Sequence, residues 1–208
     1  MYLPSHFAED RVDVLQALMR EHAFATLVSK AGDSLAADHL PLQLSAEGTR
    51  LRGHVARANP LWRQAADSEV LAIFHGPQAY VTPSWYETKR EHGRAVPTWN
   101  YVVVHARGRL RAIDDAAWLR EQLEILVDRH EGPLPEPWHI GDAPPDYIEK
   151  MLAAIVGIEI VITDLTGKWK VSQNQPGVNR AGVVAGLRGQ GNDNSRAIAD
   201  LVAGVPSR

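Results

Sequence analysis

The stretch VPTWNYVVVH, residues 96–105, constrains the fold of this chain more than any other segment. Its β-branched valines alternate with larger side chains, a pattern that favours a β-strand. Alternate residues of a strand share a face, so the two faces are Trp99, Tyr101, Val103 and His105 on one side and Asn100, Val102 and Val104 on the other. A β-strand can form without the sequence Thr-Trp-Asn-Tyr with which this predicted strand starts. We interpret that start as the place where a flat ligand with polar edges meets a sheet.

The composition excludes several kinds of site. The 208 residues include no cysteine, which rules out disulfides, thiolate catalysis and thiolate zinc sites. The formal net charge is −3 and the sequence pI is about 6.3, values that argue against a strongly basic nucleic-acid binder but leave a local basic patch open. No apolar run approaches the roughly 18 residues of a membrane span, and the start MYLPSHFAED does not resemble a signal peptide. We expect a cytoplasmic protein without membrane contact.

Hydrophobic periodicity and turn signals divide the chain into strands and helices. The predicted strands are 25–30, 35–44, 50–56, 70–74, 79–83, 96–113 with a kink at Gly108, and a hairpin of 158–164 and 168–173 across Thr166-Gly167. The predicted helices are 10–21, 60–66, 115–130, 146–156 and two pieces within 176–208, while 86–94 and 132–145 are predicted as loops. Because few helices lie between strands, the pattern favours an α+β antiparallel barrel over a doubly wound sheet.

Three segments carry side chains suited to ligand binding. In GHVARANPLW, residues 53–62, Arg57 precedes a predicted helix N-terminus, a favourable place for a phosphate; the alternative is a capped helix with a surface arginine. In HLPL, residues 39–42, backbone groups beside Pro41 can meet a ring edge, although a single histidine here is more often structural. In KWKVSQN, residues 168–174, two lysines share a strand face with Ser172; the alternative is a solvated edge strand, as for Arg107, Arg109 and Arg111.

Motifs for side-chain catalysis are missing from the sequence. There is no Gly-x-Ser-x-Gly elbow, no phosphate-binding glycine loop and no HExxH pair. We therefore predict no catalytic residue and no metal site, and expect any reaction to depend on a cofactor.

Taken in order, several segments resemble the PaiB-type FMN-binding negative transcriptional regulator family, within the FMN-binding split-barrel group. They are MYLPSHF (1–7), HLPL (39–42), GHVARANPLW (53–62), VLAIFHGPQAYVTPSWY (70–86), VPTWNYVVVHARGRLR (96–111) and KWKVSQN (168–174). The resemblance implies an antiparallel split β-barrel with peripheral helices that dimerises and holds FMN at the subunit interface. It implies a barrel domain over residues 1–174, with 175–208 as a helical tail packed on the same domain.

The resemblance also implies a set of cofactor-binding positions. They are His39, Leu40, Pro41, His54, Val55, Arg57 and Asn59 from the second and third strands and the following turn, Thr98, Trp99 and Asn100 from the partner's corresponding strand, and Lys170 and Gln173 from the late hairpin. Within this set, Arg57 is expected to bind the phosphate and Asn100 the pyrimidine edge of the flavin, with Trp99 packing nearby. Ala58 and Asn59 stand where other split barrels often carry a second cation.

The function that follows is a flavin-linked regulator acting as a homodimer. One alternative is an FMN-dependent oxidoreductase that uses NAD(P)H. The other is a heme-binding or heme-handling split barrel with one of the nine histidines as axial ligand. Direct DNA binding is supported by neither charge nor motif, because the two helices within 115–156 are separated by a long Pro-rich loop rather than a short turn.

Overall fold

The computed structural model describes residues 1–206, which form eight strands, seven α-helices and three short 3-10 helices. The strands are β1 (Ala8–Glu9), β2 (Phe24–Ala31), β3 (Ser34–Pro41), β4 (Gln43–Leu44), β5 (Arg50–Ala56), β6 (Glu69–Val81), β7 (Thr98–Ile113) and β8 (Ile155–Lys170). The α-helices are α1 (Val12–Glu21), α2 (Leu61–Gln64), α3 (Glu87–His92), α4 (Ala116–Glu131), α5 (Pro145–Ala153), α6 (Gly177–Gly189) and α7 (Asp193–Ala203).

The strands form one sheet in the order β3-β2-β6-β7-β8-β5-β4, with β1 paired to β8. Strand β2 is antiparallel to both β3 and β6, and β5 is antiparallel to both β4 and β8. The helices lie at the strand connections and after the last strand. This arrangement confirms the α+β class with an antiparallel sheet.

Two compact units can be distinguished, each built from separate stretches of sequence. Unit 1 contains Met1–Leu15, His75–Val104 and the described residues from Thr166 onward; unit 2 contains Gln16–Phe74 and His105–Leu165. Residues 175–206 therefore belong to the same unit as the start of β7 and the end of β8. The division into a barrel domain at 1–174 and an appended tail stays a prediction.

Unit 2 has a core of aliphatic side chains from the strands and α4. In β5, Leu51, Gly53 and Val55 are buried and alternate with the half-buried Arg52 and His54, as expected for a strand with one face on the core. Gly53 lies between these two residues, and a Cβ there would come within 2.8 Å of the Pro41 carbonyl oxygen. This close backbone approach explains why the sequence has a glycine within the strand.

Unit 1 has a second core, in which α6 packs against both α7 and Trp85. Val183, Leu187 and Ile198 are fully buried between the helices. Gly186 of α6 lies directly on the Trp85 ring, since an added Cβ would be 2.2 Å from ring atom Cε2. The two helices predicted for the tail are confirmed.

Three sequence predictions of local structure were wrong, in part because glycine was interpreted as a turn signal. Strand β6 continues through the bend predicted at Gly76-Pro77, and β8 continues through Thr166-Gly167, where Gly167 pairs with Glu9 of β1. The predicted continuation of β7 through Gly108 to Ile113 is confirmed, and this glycine permits a close approach to the Val161 carbonyl. Gly157 lies within β8 rather than closing α5.

Another difference concerns the predicted loop at 86–94, which contains the short helix α3. An ion pair between Glu87 and Arg90 is compatible with the helix, and Gly93 ends it in the left-handed region at φ 69°. Within residues 1–206, no helix combines the length and apolar character needed to cross a membrane.

Candidate functional site

Unit 1 contains a cavity of about 250 Å³ where the start of β7 meets the end of β8. Its floor comes from these two strands and from the turn that follows β8, and its rim comes from the segments beside α3. The lining residues are Phe7, Tyr86, Val96, Pro97, Thr98, Asn100, Lys170, Ser172, Asn174 and Gln175.

Strand β7 directs Thr98 and Asn100 into this cavity. The two residues are separated by one position and therefore share a strand face, while Trp99 between them projects from the opposite face. Trp99 is 53% exposed and packs edge-to-face against Tyr80, which is 45% exposed, at a ring separation of 6.1 Å. The start of this strand thus presents polar groups to the cavity and an aromatic pair to the other side.

Lys170, the last residue of β8, supplies a positive charge to the cavity. Its Nζ donates a hydrogen bond of 2.6 Å to Thr98 Oγ1. An ammonium group has three N–H donors, so this bond fixes the position of the group and leaves donors for a ligand. Its neighbour Lys168 differs: it is buried and donates to the Tyr2 carbonyl at 3.0 Å. The solvated lysine face considered from the sequence is therefore wrong for Lys168, whereas Arg107, Arg109 and Arg111 are exposed as expected.

Asn100 has an acceptor that no described residue satisfies. Its side chain is only 1% exposed, and its Nδ2 donates to Ser172 Oγ at 2.9 Å. Its Oδ1 is buried and has no hydrogen-bond partner among residues 1–206. Burying an amide oxygen without a partner costs about 1–3 kcal/mol, so a ligand N–H that reached this atom would recover that cost.

The turn after β8 is held in an unusual conformation by its own side chains. Ser172 has φ 63°, in the left-handed region that non-glycine residues rarely adopt, at a cost of about 1–3 kcal/mol. Gln173 stabilises this turn: its Oε1 accepts from Val171 N at 2.8 Å, and its Nε2 donates to the Trp169 carbonyl. Gln173 thus binds the backbone and does not line the cavity.

The rim of the cavity is tied to α6. Asn179 donates to Thr88 Oγ1 at 2.9 Å and to Gln175 Oε1 at 3.0 Å, and it accepts from Thr88 N at 3.1 Å. The neighbouring Tyr86 lines the cavity, and burial raises the pKa of its phenol. Tyr86 is therefore a protonated hydrogen-bond group at neutral pH.

The other predicted cofactor residues lie in unit 2, where Arg57 already has partners. Its Nη1 and Nη2 donate to the two carboxylate oxygens of Asp114 at 2.8 and 2.6 Å. Its Nε donates to the Ala153 carbonyl at 2.7 Å, and Nη2 also donates to that of Ile155 at 3.1 Å. This bidentate pair raises the pKa of Arg57 and lowers the pKa of Asp114. A phosphate at Arg57 would have to compete with the Asp114 carboxylate.

The polar neighbours of Arg57 in unit 2 serve local structure. Asn59 Oδ1 accepts from Leu61 N at 2.8 Å just before α2, whose N-cap is Pro60, and Asn59 Nδ2 donates to Asp38 Oδ1 at 2.6 Å. His54 Nδ1 lies 3.1 Å from Gln122 Oε1. His39 is exposed, with Nδ1 3.2 Å from Thr26 Oγ1. The residues Leu40 and Val55 are buried and Pro41 is exposed.

The structure therefore brings together Thr98, Asn100 and Lys170 from the predicted set. Sequence reasoning missed Tyr86, because 86–94 was interpreted as a loop. It recognised Ser172 beside Lys170 in KWKVSQN but left it out of the predicted cofactor set. The signal for Ser172 was present, since it follows Lys170 at the two-residue spacing of a strand face. The cofactor roles of the whole predicted set stay predictions.

Comparison with known proteins gives one family match and several relatives. The family model described as "Putative FMN-binding domain" matches residues 1–164. The Bacillus subtilis protein named "Protease synthase and sporulation protein PAI 2" is 32% identical over 205 residues, which is 97% of this chain and 96% of that protein. An uncharacterized protein of Emericella nidulans is 34% identical over 241 residues, with 97% of this chain and 96% of that protein covered.

Solved structures with a similar fold are more distant in sequence. The flavocytochrome Anf3 from Azotobacter vinelandii has a TM-score of 0.57 at 17% identity, covering 78% of this chain and 69% of that one. The FAD and heme binding protein from Mycobacterium smegmatis has a TM-score of 0.56 at 17% identity, and the match covers 77% of this chain and 71% of that one. At this identity the likeness concerns the fold alone, and it confirms the predicted split β-barrel.

Proposed function

Because this chain belongs to the PaiB-type FMN-binding domain family, we propose that its unit 1 cavity holds the ring system of FMN and that the bound flavin serves regulation. The family match agrees with FMN as the cofactor expected from the sequence. The position of the flavin rests on one observation, the buried Asn100 Oδ1 that lacks a partner among residues 1–206, beside the Lys170 ammonium.

The polar groups of the cavity fit the edge of a flavin. The pyrimidine side of the ring alternates carbonyl oxygens with an N–H, so it needs an acceptor flanked by donors. Asn100 Oδ1 is the acceptor, and the Lys170 ammonium and Ser172 hydroxyl are the donors. When bound, FMN supplies reversible electron transfer; a fixed cation beside the pyrimidine side is one way in which a protein tunes that chemistry.

The phosphate site is a separate part of the proposal. As the resemblance implies, FMN would lie at the subunit interface, so Arg57 of one subunit stays the proposed phosphate ligand of a flavin whose ring lies in the cavity of the other. The phosphate would replace the Asp114 carboxylate. Arginine binds carboxylate and phosphate with the same bidentate fork. The affinity ratio of FMN to riboflavin therefore measures this role, because only FMN carries the phosphate.

A homodimer is also part of the proposal. It is supported by the exposed aromatic pair Tyr80 and Trp99 of unit 1. Aromatic side chains are enriched at interfaces between proteins. Light scattering coupled to size exclusion should give twice the 22.9 kDa chain mass, and Trp99→Glu should shift that mass to one chain. A wild-type chain that is monomeric at all concentrations would contradict this part.

We favour regulation over catalysis because of the groups that line the cavity. Its ionisable members are Lys170 and Tyr86, and the raised pKa of Tyr86 keeps that phenol protonated. Catalytic acids and bases generally need a pKa near the working pH. The word "sporulation" in the name of the similar Bacillus subtilis protein agrees with a regulatory role. A cytoplasmic location goes with this proposal.

The helices give no support for tight DNA binding by this chain. Helices α4 and α5 are separated by residues 132–144, too many for a helix-turn-helix. Helices α6 and α7 are joined by a short turn, but the exposed side chains of α7 include Asp193 and Asp200 as well as Arg196. Such a face lacks the excess of positive charge that contacts phosphates.

The central experiment is a flavin titration. The purified chain, freed of bound flavin, should quench FMN fluorescence with one site per chain and a dissociation constant in the micromolar range or below. Riboflavin and FAD are the comparison ligands. Absence of FMN binding at micromolar protein would contradict the proposed function.

A second experiment separates regulation from oxidoreductase activity. The FMN-loaded chain is mixed with NADH or NADPH under anaerobic conditions in a stopped-flow instrument, and flavin absorbance is followed. A regulator should show slow reduction or none, and no repeated turnover when oxygen is readmitted. Rapid reduction followed by multiple turnovers would favour the oxidoreductase.

A further inference from the structure

The first seven residues of the chain, here called the N-terminal strap, form one side of the flavin cavity in unit 1. Phe7, the last residue of the strap, lines the cavity and is only 7% exposed. The six residues before it are exposed or half-buried. Displacement of the strap would therefore take one side of the lining away and open the cavity to solvent.

The chain immediately after the strap is firmly held. There β1 pairs with β8, and Glu9 lies opposite Gly167, where an added Cβ would come within 2.7 Å of the Glu9 carbonyl oxygen. The Glu9 carboxylate also accepts from the Arg11 guanidinium at 2.8 and 2.6 Å. Residues 8–11 thus give the strap a fixed end about which its other residues can turn.

The other end of the strap is held by a single side chain from β8. Lys168 Nζ donates to the Tyr2 carbonyl at 3.0 Å and lies 5.8 Å from the centre of the Tyr2 ring. The same ammonium lies 5.4 Å from the centre of the Tyr101 ring on β7. Both distances are within the range at which a cation is attracted to an aromatic face. Within residues 1–206, no other side chain from outside the strap hydrogen-bonds to it.

The contacts of Lys168 suit a reversible attachment. Lys168 is only 8% exposed, and a lysine is rarely so buried unless its charge has partners. Here the partners come in part from Tyr2, which is itself 84% exposed. When Tyr2 moves away, water can reach the ammonium and solvate it. Opening therefore exchanges one set of partners for another and leaves no buried charge unsolvated.

We propose that the N-terminal strap is a lid of the flavin cavity, which opens to admit FMN and closes with Phe7 against the bound ring, and that Lys168 holds it closed. This inference rests on the proposed function, because it takes the ligand of the cavity to be FMN. An aromatic side chain buries a large apolar area when it packs on a flat ring. Because coupling is reciprocal, FMN that prefers the closed strap must also favour its closure.

Chymotrypsin measures the opening directly, because it cleaves after aromatic residues and Phe7 is buried while the strap is closed. Cleavage between Phe7 and Ala8 of the full-length chain is followed by mass spectrometry, and its rate tracks the population of the open strap. With FMN at about a hundred times its dissociation constant, this cleavage should slow by at least about tenfold.

A lysine variant and a matched control test the attachment. Lys168→Met keeps the length of the side chain and removes its charge, so cleavage of the flavin-free chain should be roughly 10- to 150-fold faster, the usual effect of losing a charged hydrogen bond. Lys30→Met changes an exposed lysine of β2 in unit 2 and should be cleaved at the wild-type rate.

The rate of FMN dissociation separates a lid from a merely structural lysine. Lys168 does not line the cavity, so a structural role would lower the melting temperature and leave FMN dissociation unchanged. As part of a lid, Lys168→Met should release FMN roughly 10- to 150-fold faster in a stopped-flow dilution. Tyr2→Ala, at an exposed position, should accelerate both cleavage and release by about 2- to 5-fold through loss of the ring contact.

The outcomes distinguish this inference from the proposed function. If FMN binds but neither slows the cleavage after Phe7 nor leaves Lys168→Met faster than the wild type, the lid is overturned and the flavin site stands. If FMN does not bind at all, the proposed function fails, and wild-type cleavage of flavin-free Lys168→Met would overturn the attachment as well. Should Lys168→Met fail to fold, Tyr2→Ala decides the question by the same two rates.

Discussion

Replacing Asn100 with leucine tests the proposed flavin site, because stability and affinity are expected to change in opposite directions. Leucine has nearly the same size and has no polar atom. It removes the buried Oδ1 that lacks a described partner, a gain of about 1–3 kcal/mol, and it loses the hydrogen bond to Ser172, a loss of about 1 kcal/mol. The flavin-free chain should therefore become more stable by about 0–2 kcal/mol.

The same substitution should weaken FMN binding. A flavin N–H that faces a leucine would be buried without an acceptor, at a cost of about 1–3 kcal/mol, which corresponds to a roughly 5- to 150-fold higher dissociation constant. For a chain of this size, the gain in stability raises the melting temperature by up to about 8 °C. Melting of the flavin-free protein and fluorescence titration with FMN measure the two effects.

Gln43 of unit 2 provides a matched control. It is a buried amide whose Oε1 accepts from Gln122 and whose Nε2 has no partner among the described residues, and it does not line the flavin cavity. Gln43→Leu should thus have a similar effect on stability and none on FMN affinity. The reasoning is refuted if Asn100→Leu destabilises the flavin-free chain while FMN affinity stays at the wild-type value.

Three further predictions concern other parts of the chain. Lys170→Met should raise the FMN dissociation constant roughly 10- to 150-fold by removing a charged hydrogen bond; an unchanged titration would exclude contact. Arg57 lowers the Asp114 pKa, so this pair stabilises the fold above about pH 4, and the stabilisation is lost as the pH falls through that lowered pKa. In the Asp114→Asn variant, the melting temperature should therefore depend less on pH on the acid side. If Arg57 binds phosphate, the same variant should bind FMN more tightly relative to riboflavin. Gly186→Ala should destabilise the chain by about 1–3 kcal/mol through overpacking on the indole beneath it, whereas Gly189→Ala, where a Cβ meets nothing within 4 Å, should melt like the wild type.

Much of the fold could be predicted from the sequence because strand alternation is a local signal. The pattern around Leu51 and Val55 gave β5 its observed limits, and the helix predicted over 60–66 contains α2. Glycine was the main source of error. At Gly108 and Gly167 the absence of a side chain leaves room for a neighbouring element of the fold. A single sequence does not show which element lies against a glycine.

The candidate site could be predicted only in part, for a related reason. Thr98 and Asn100 were recognised because a strand start with such side chains is unusual, and Lys170 because of the family resemblance. The pairing of Arg57 with Asp114 joins positions 57 residues apart in sequence, so no local pattern indicates that its guanidinium already has a partner. The unsatisfied oxygen of Asn100 is likewise a property of packing, which becomes visible only in three dimensions.

The clamp between Asn179 and Thr88 has a mechanical consequence. Asn179 holds both the backbone N–H and the hydroxyl of Thr88, and it lies one residue from Arg180 in α6. A rotation of α6 must therefore carry α3 with it or break two hydrogen bonds, each of which contributes about 1 kcal/mol. Helix α6 and the segment of α3 beside the flavin cavity are therefore mechanically coupled, so that a displacement of one also displaces the other.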